Sequence, residues 1–412
     1  MTSGKVLITG GLGFIGRHVA ELLIEQGRQV LLFDNLSPQT HGSLPQIPAR
    51  GLLGHPQVEI YRGDVRRPSD WEKVLPGVRY VVHLAAETGT AQSMYEIARY
   101  AETNVGGAAA LLDYLANRKH NIARVVLGSS RSVYGEGAYG CAQCGQVYPP
   151  VRCEARLSSG QWEPLCPGCG GAIEAIATPE DATLAPASIY AATKLAQENL
   201  VRIATRALGI PAVILRMQNV YGEGQSLKNP YTGILSIFSN QLRLGRTLNL
   251  YEDGQESRDF VHVSDVARIV ALALSSGTAD GCTLNVGSGC ASTIAEVALL
   301  LGERFGSKTR PVISGQYRLG DVRHALADLT AIQGRLGFEP LVSLEQGLDR
   351  FVAWAKTQPV EPEQLDRVTQ ELMERGLMPE SAPCVGQGVA SDYDHRPLSD
   401  PQRSLRDEKQ DD

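Results

Sequence analysis

The segment from Lys5 to Gly16, Lys-Val-Leu-Ile-Thr-Gly-Gly-Leu-Gly-Phe-Ile-Gly, constrains the fold of this chain more than any other. Its apolar run, Val6 to Ile8, reads as a buried parallel strand, and a helical period resumes from Arg17 to Gln26. Gly10, Gly13 and Gly16 therefore stand where a strand hands over to a helix, with Phe14 and Ile15 between the last two. Glycines there permit a tight turn, let a pyrophosphate approach the backbone and allow the helix to pack on the strand, while unpaired N–H groups at the helix start face the phosphates. A lone glycine motif suits an ordinary turn equally well. What adds weight is a second strand, Gln29 to Phe33, closing on Asp34. An acid about 20 residues beyond the turn hydrogen-bonds the adenosine ribose diol and repels a 2′-phosphate, so the expected cofactor is NAD rather than NADP.

The 412 residues suffice for one large domain or two joined ones, and 43% hydrophobic content describes a globular protein. A net charge of -6 gives no electrostatic case for nucleic acid. No apolar run reaches the roughly 18 residues of a membrane span, and no basic-apolar-small signal pattern precedes the first strand. The expected setting is the cytoplasm, with no membrane partner.

Further strands are expected at Val58 to Tyr61, ending at Asp64-Val65; at Tyr80 to Leu84, running into Ala85-Ala86; and at Arg124 to Leu127, ending at Ser130-Arg131-Ser132. Asp64 is read either as an adenine contact or as a plain helix cap. A helical stretch from Ser93 to about Asn117 contains Asn104, either a ligand or a buried, helix-distorting polar group. Strands alternating with helices give a doubly wound parallel sheet, which binds ligands at the carboxyl ends of its strands.

Between Glu136 and Thr178 the pattern is interrupted by Cys141-Ala-Gln-Cys144-Gly and Cys166-Pro-Gly-Cys169-Gly. Four thiolates in two tight pairs match structural zinc, and the glycine after each pair lets backbone amides turn towards sulfur. The alternative is two disulfides, which a reducing compartment disfavours. With all four corners supplied by protein, such a zinc folds a core-poor insert instead of catalysing. Cys153 is a spare, and Cys282, Cys290 and Cys384 read as ordinary thiols.

Ser188 to Lys194 opens a helix reaching about Leu208, and Tyr190 and Lys194, four apart, share one face of it. A phenol near pKa 10 is a poor base at neutral pH, and a neighbouring ammonium favours its phenolate. Taken alone, one Tyr-x-x-x-Lys is an exposed pair. Together with the glycine turn, Asp34 and the strand-end Ser130, it resembles the short-chain dehydrogenase/reductase superfamily. Leu215-Arg216-Met217-Gln218-Asn219-Val220-Tyr221-Gly222, Arg258-Asp259-Phe260-Val261-His262 and Asn285-Val286-Gly287 are similar to its extended branch, which acts on nucleotide-diphosphate sugars. The resemblance covers about Lys5 to Trp354, less the cysteine insert.

That resemblance implies an α/β fold: a Rossmann-type doubly wound parallel sheet with a smaller C-terminal substrate-binding lobe and a four-cysteine, zinc-ribbon-like insert. The expected division is 1–135 and 178–215 for NAD, 136–177 for the insert, 216–356 mainly for substrate, 357–380 for a C-terminal helix and 381–412 for a disordered tail. Ser130, Tyr190 and Lys194 take the catalytic positions. Gly10, Gly13, Phe14, Ile15, Gly16, Asp34, Asn35, Asp64, Val65, Leu84, Ala85 and Ala86 match cofactor contacts, joined by Tyr190 and Lys194. Asn219 matches the residue meeting the sugar diphosphate, Arg258 and Arg323 its phosphate clamps, and Glu87, Thr88, Ser130, Arg131 and Ser132 face the sugar. Gln218 and Lys228-Asn229-Pro230-Tyr231 are further candidates for the nucleotide pocket. A homodimer through the two long helices is the usual assembly.

Different reactions can follow from a shared first oxidation. A 4,6-dehydratase of this family needs an Asp-Glu pair where this chain has Arg131-Ser132. A 4-epimerase needs no further acid or base, so the expected activity is a nucleotide-sugar 4-epimerase, with UDP-galactose 4-epimerase as the best-known relative. The stretch Asp34 to Gly42, the cysteine insert and Gly320-Asp321-Val322-Arg323-His324 resemble the dTDP-L-rhamnose 4-epimerase group, and UDP remains open as the nucleotide. A keto-sugar reductase and a partner-binding protein on the same scaffold are the alternatives.

Overall fold

The computed structural model describes residues 4–42, 51–227, 229, 233–360, 370–371 and 373–377. Lys228, Pro230, Tyr231, most of the amphipathic stretch Glu361 to Gly376, Cys384 and the expected tail lie outside them. Seven parallel strands form the central sheet. In spatial order they are Thr283–Val286, Ala212–Met217, Arg124–Ser130, Val78–His83, Lys5–Thr9, Val30–Asp34 and Val58–Arg62. Chain order reverses between Lys5–Thr9 and Val78–His83, and the crevice for a ligand opens at that switch point.

Both faces of the sheet are buried, which is why its strands read as continuous apolar runs. Val6, Ile8, Val30 and Leu32 point into one core with helices Phe14–Glu25 and Val263–Ser275. Leu7, Leu31 and Phe33 point into the other, with Trp71 and helices Gly107–Asn117 and Ile189–Leu208. A third core, around Phe238, Phe260, Leu301 and Phe351, fills the smaller lobe. Sheet strands Ala212–Met217 and Thr283–Val286 lie beyond residue 215, so the central sheet draws on the chain on both sides of that point.

The expected single helix from Ser93 is broken. A turn follows Thr90–Ser93, and Ala101–Gly106 is a π-helical stretch leading into Gly107–Asn117. Asn104 is the reason: inside this widened turn it is fully buried and bonded to two other elements. A short strand, Asn249–Leu250, pairs with Val312–Ile313. Met373 and Leu377 pack against Ala91, Tyr95 and Tyr251.

The insert is a three-stranded antiparallel ribbon, Tyr139–Cys141 between Gly145–Val147 and Glu174–Ala175. Among the described residues no helix is long and apolar enough to cross a membrane.

At the first turn, a Cβ on Gly16 would stand 2.3 Å from the Gly10 carbonyl oxygen and 2.8 Å from Gly11 Cα. Both neighbours are backbone, so Gly16→Ala should cost about 1–3 kcal/mol and loosen the cofactor cleft. Thermal unfolding together with bound NAD content checks this, and an unchanged pair of values would contradict it.

Candidate active site

The strand ends converge on a cleft of about 480 Å³ at the switch point. Its cofactor half is walled by Gly10, Gly13, Phe14, Ile15, Gly16, Asp34, Asn35, Val65, Leu84, Ala85 and Ala86. Gly10 has φ +65°, and a Cβ there would meet Ala85 N at 3.0 Å. Thr9 Oγ1 accepts from both Leu84 N and Ala85 N at 3.1 Å, fixing that loop against the turn. Asp34 is buried and rigid: its carboxylate accepts from Leu12 N at 3.1 Å and Leu36 N at 2.9 Å, with His41 Nε2 3.5 Å away. The Phe14–Glu25 helix starts at Gly13 with no side-chain cap, leaving its first N–H groups to a ligand. This donor set fits NAD.

Asp64 departs from the expected pattern. Its carboxylate is gripped by Arg66 at 2.9 and 2.6 Å and faces an adjoining groove instead of the main cleft. A strand-end acid beside an arginine two residues on forms a local pair.

Ser130, Tyr190 and Lys194 all line the cleft. Ser188 caps the helix by accepting from Ala191 N, and Tyr190 and Lys194 follow on its inward face. Burial pushes the Tyr190 phenol up, and its hydrogen bond with Ser130 pulls the other way. Burial holds Lys194 down to about 8, opposed by the Glu198 carboxylate one turn on, while its Nζ donates to the Gly128 carbonyl at 2.6 Å. The protein alone thus poises a neutral phenol, and the ammonium sits on backbone.

Two residues buttress this arrangement that the sequence reading left out of the site. Asn104 Oδ1 accepts from Glu87 N at 2.8 Å and its Nδ2 donates to Thr193 Oγ1 at 3.0 Å, tying the loop after the fourth strand to the helix between Tyr190 and Lys194. Glu198 is fully buried, accepting from Ser129 Oγ at 2.5 Å and from Arg216 at 2.8 Å. Its signal was available: Tyr190, Lys194 and Glu198 recur every four residues.

On the substrate side the cleft includes Glu87, Thr88, Gln218, Asn219, Gln225 and Asn229. Glu87 is held by Arg99 at 2.7 Å. Arg131, Ser132, Arg258 and Arg323 are not among the residues that wall the cleft. Arg131 turns away from the cleft, donates to the Gly135 carbonyl at 2.7 Å, and is held down to about 10 by burial and the nearby Arg258. The cause is the 3₁₀ turn Arg131–Tyr134, which reverses the chain directly after Ser130; Ser132 N donates to Ser130 Oγ at 3.2 Å in the same turn. Arg258 is spent on the Val322 and Arg323 carbonyls and on Asp321. Arg323, 1% exposed, is locked among Glu163, Glu252 and Asp253. Arg318, stacked 4.7 Å over Tyr251, keeps unsatisfied capacity: its Nε is buried with no partner among the described residues, as is that of Arg131. Sequence alone offered two arginines flanking Gly320-Asp321 and no means of choosing between them.

The cysteines converge as expected. The sulfurs of Cys141, Cys144, Cys166 and Cys169 all lie within 4.8 Å of one another, with Cys141 and Cys169 at 3.6 Å. A tetrahedron of zinc–sulfur bonds of about 2.3 Å sets sulfurs about 3.8 Å apart. Gly145 and Gly170, the residue after each pair, have φ +71° and +72°, the left-handed turn that aims amides at sulfur. Backbone N–H groups of Cys169 and Gly168 draw the Cys166 thiol down to about 6, while neighbouring sulfurs push Cys144 up to about 12. Thiols this close cannot all ionise without a cation, so the donor set suits a soft divalent metal.

A family model described as the NAD dependent epimerase/dehydratase family matches residues 6–151 and 168–287, breaking inside the insert. The chain is 40% identical over 355 residues to the dTDP-L-rhamnose 4-epimerase of Burkholderia thailandensis, covering 85% of this chain and 94% of that protein. Among solved structures it is similar to the UDP-glucose 4-epimerase of Thermotoga maritima with UDP-glucose, at TM-score 0.69 and 29% identity, covering 85% of this chain and 98% of that one. The UDP-glucuronic acid 4-epimerase of Bacillus cereus, in complex with UDP-glucuronic acid and NAD, gives TM-score 0.70 and 25% identity, covering 85% and 99%.

Lys194 supplies a prediction about stability. Its folded pKa, about 8, lies below its ordinary 10.5. Below pH 8 both states are protonated and the folded one bears the burial penalty, about 3 kcal/mol. As pH rises from 8 to 10.5 the folded amine is neutral first and the penalty fades. Cofactor-stripped Lys194→Met should therefore melt above the wild type at pH 7, with the gap closing towards pH 10.5; a gap independent of pH would refute this.

Proposed function

The chain belongs to the NAD-dependent epimerase/dehydratase family, and we infer its place there: an NAD-dependent nucleotide-sugar 4-epimerase, an isomerase, whose proposed substrate pair is dTDP-L-rhamnose and dTDP-6-deoxy-L-talose. The observation that carries the reaction type is the poverty of acids around the catalytic residues. Among the described residues lining the cleft only Asp34 and Glu87 are carboxylates. Asp34 is tied to backbone amides at the ribose end, and Glu87 is clamped by Arg99. Elimination of water needs an acid–base pair beside Ser130, and the side chain that follows Ser130 is a guanidinium turned away. The 40% identity to a dTDP-L-rhamnose 4-epimerase supports the choice of sugar.

NAD bound in the cofactor half supplies a reversible acceptor for the C4 hydrogen and its electron pair. Tyr190, as phenolate, takes the proton of the C4 hydroxyl, and Ser130 hydrogen-bonds the same oxygen. Lys194 contributes positive charge beneath the phenol, and its ammonium is kept charged by Glu198. Asn219 meets the sugar diphosphate, with Arg258 and Arg318 as the nearby cations. The sugar then turns about its phosphate linkage, and the same groups serve the return step on its other face.

Three finer readings accompany this. Zinc is the proposed metal of Cys141, Cys144, Cys166 and Cys169, in a structural role. A homodimer through the two helical stretches is supported by Ile97, half exposed, and Ile203, 70% exposed, which leave apolar side chains on them. A reducing cytoplasm suits the seven thiols that are unpaired among the described residues.

Incubating the purified protein, without added cofactor, with dTDP-L-rhamnose and separately with UDP-glucose, followed by NMR and mass, tests the reaction. An isomer of unchanged mass with no net NADH is expected with the first sugar. Loss of water would move the chain to the dehydratases, and consumption of added NADH to the reductases. For the metal, Cys141→Ser should lose zinc and lower the melting temperature; a protein keeping both would end the structural-zinc reading.

A further inference from the structure

Charges of the insert reach into the substrate lobe as well as bracing the insert itself, where Arg152 donates to the Trp162 carbonyl at 3.0 Å. Arg152, near its middle, bonds the Glu252 carboxylate with both ends of its guanidinium at 2.8 Å, and also reaches the Asp321 carbonyl at 3.1 Å and Glu136 at 3.2 Å. Glu163, further along, takes Arg323 on one oxygen at 2.7 Å and His324 on the other at 3.1 Å. Arg323 in turn reaches Glu252 at 2.9 Å and Asp253 at 2.7 Å, while its backbone N donates to Glu136 at 2.8 Å. Trp162 lies against Tyr317, ring to ring at 6.1 Å. Tyr317 to His324 is thus gripped from the insert side by Arg152, Trp162 and Glu163. From the lobe side the same stretch holds Arg258, through the Val322 and Arg323 carbonyls and Asp321, and it carries Arg318.

Glu252, the junction of this wiring, has φ +48°. A non-glycine residue in the left-handed region is strained and persists only where its surroundings over-determine it. Both of its carboxylate oxygens are held by Arg152 and Arg323, and its N–H donates to the Gln316 carbonyl at 2.7 Å. Buried ion clusters are a poor source of net stability, because taking charges out of water offsets the attraction; their best use is to fix one geometry.

We propose that the four-cysteine ribbon is a clasp on the substrate lobe, in which Arg152, Glu163 and Glu252 act as positioning residues that hold Arg258 and Arg318 where the nucleotide diphosphate of the sugar binds. This rests on the reading of that lobe as the nucleotide-sugar site. It gives the insert a role in substrate affinity and none in cofactor binding, since its charged contacts run to the Tyr317–His324 side and not to the Gly10–Gly16 turn.

The test compares the wild type with Glu163→Ala, a half-exposed position whose loss the fold can bear, and Glu252→Gly, which removes the junction while relieving its backbone strain. Calorimetric binding of dTDP and of UDP, KM and kcat for dTDP-L-rhamnose, bound NAD and the melting temperature are read for each. Nucleotide Kd and sugar KM should rise about tenfold in both variants, within the ordinary range for coupling between sites. Over the same variants kcat should stay within about twofold and NAD content should not change. Nucleotide affinity equal to the wild type in both variants, or a fall in kcat with KM untouched, overturns the clasp. A wild type that binds neither nucleotide overturns the reading of the lobe itself, an outcome distinct from the first.

Discussion

The fold depends on how closely three backbones can approach at one point. The first strand, the helix after it and the loop after the fourth strand meet around Gly10 and Gly16, where added carbons would fall 3.0 Å from Ala85 N and 2.3 Å from the Gly10 carbonyl. Nothing but hydrogen fits in those spaces. Because the helix packs so near the sheet, its uncapped N-terminus opens onto the crevice where chain order reverses. The helix of Tyr190 and Lys194 is then brought to the same crevice by the strand that ends at Ser130. The position of the cleft follows from that approach, and loops on both sides supply its chemistry.

A second tier of polar contacts keeps the catalytic helix in register. Asn104 widens its own helix into a π turn so that its amide can bond Glu87 and Thr193 together. Glu198 anchors the other end through Ser129 and Arg216, and Arg216 passes the contact on to Tyr134 and so to Asn285. These groups are buried, so each is costly unless every partner is in place. The arrangement therefore admits one geometry for the helix that carries Tyr190 and Lys194.

Much of this was legible in the sequence, and the rest failed for identifiable reasons. Periodicity located most strands of the sheet because their runs are apolar, and it missed Thr283–Val286, which is only four residues long. The glycine turn, Asp34, Ser130, Tyr190, Lys194 and the four cysteines were legible because each is a local pattern with a fixed spacing. Arg131 and Arg323 were misplaced because a guanidinium on a flexible stem goes where carboxylates and carbonyls are. Those partners, Glu163, Glu252 and Asp253 for Arg323, come from distant parts of the chain. Asp64 was lost to a neighbour two residues away, and Arg318 could not be told from Arg323 without knowing which was already surrounded by acids.

The cysteine ribbon leaves and rejoins the fold through adjacent strands. Tyr139 pairs with Ala175, and the Ile176 N–H bonds the Ala138 carbonyl. Thr178 then fastens the exit, accepting from Ala138 N and bonding backbone to Leu326 and Asp328. With entry and exit side by side, the sheet hardly feels the length of what lies between, since closing a longer loop across a fixed gap costs little more than closing a short one. The ribbon is in that sense a cassette. Its length between those two points can vary without disturbing the sheet, so long as Arg152 and Glu163 keep their contacts with the substrate lobe.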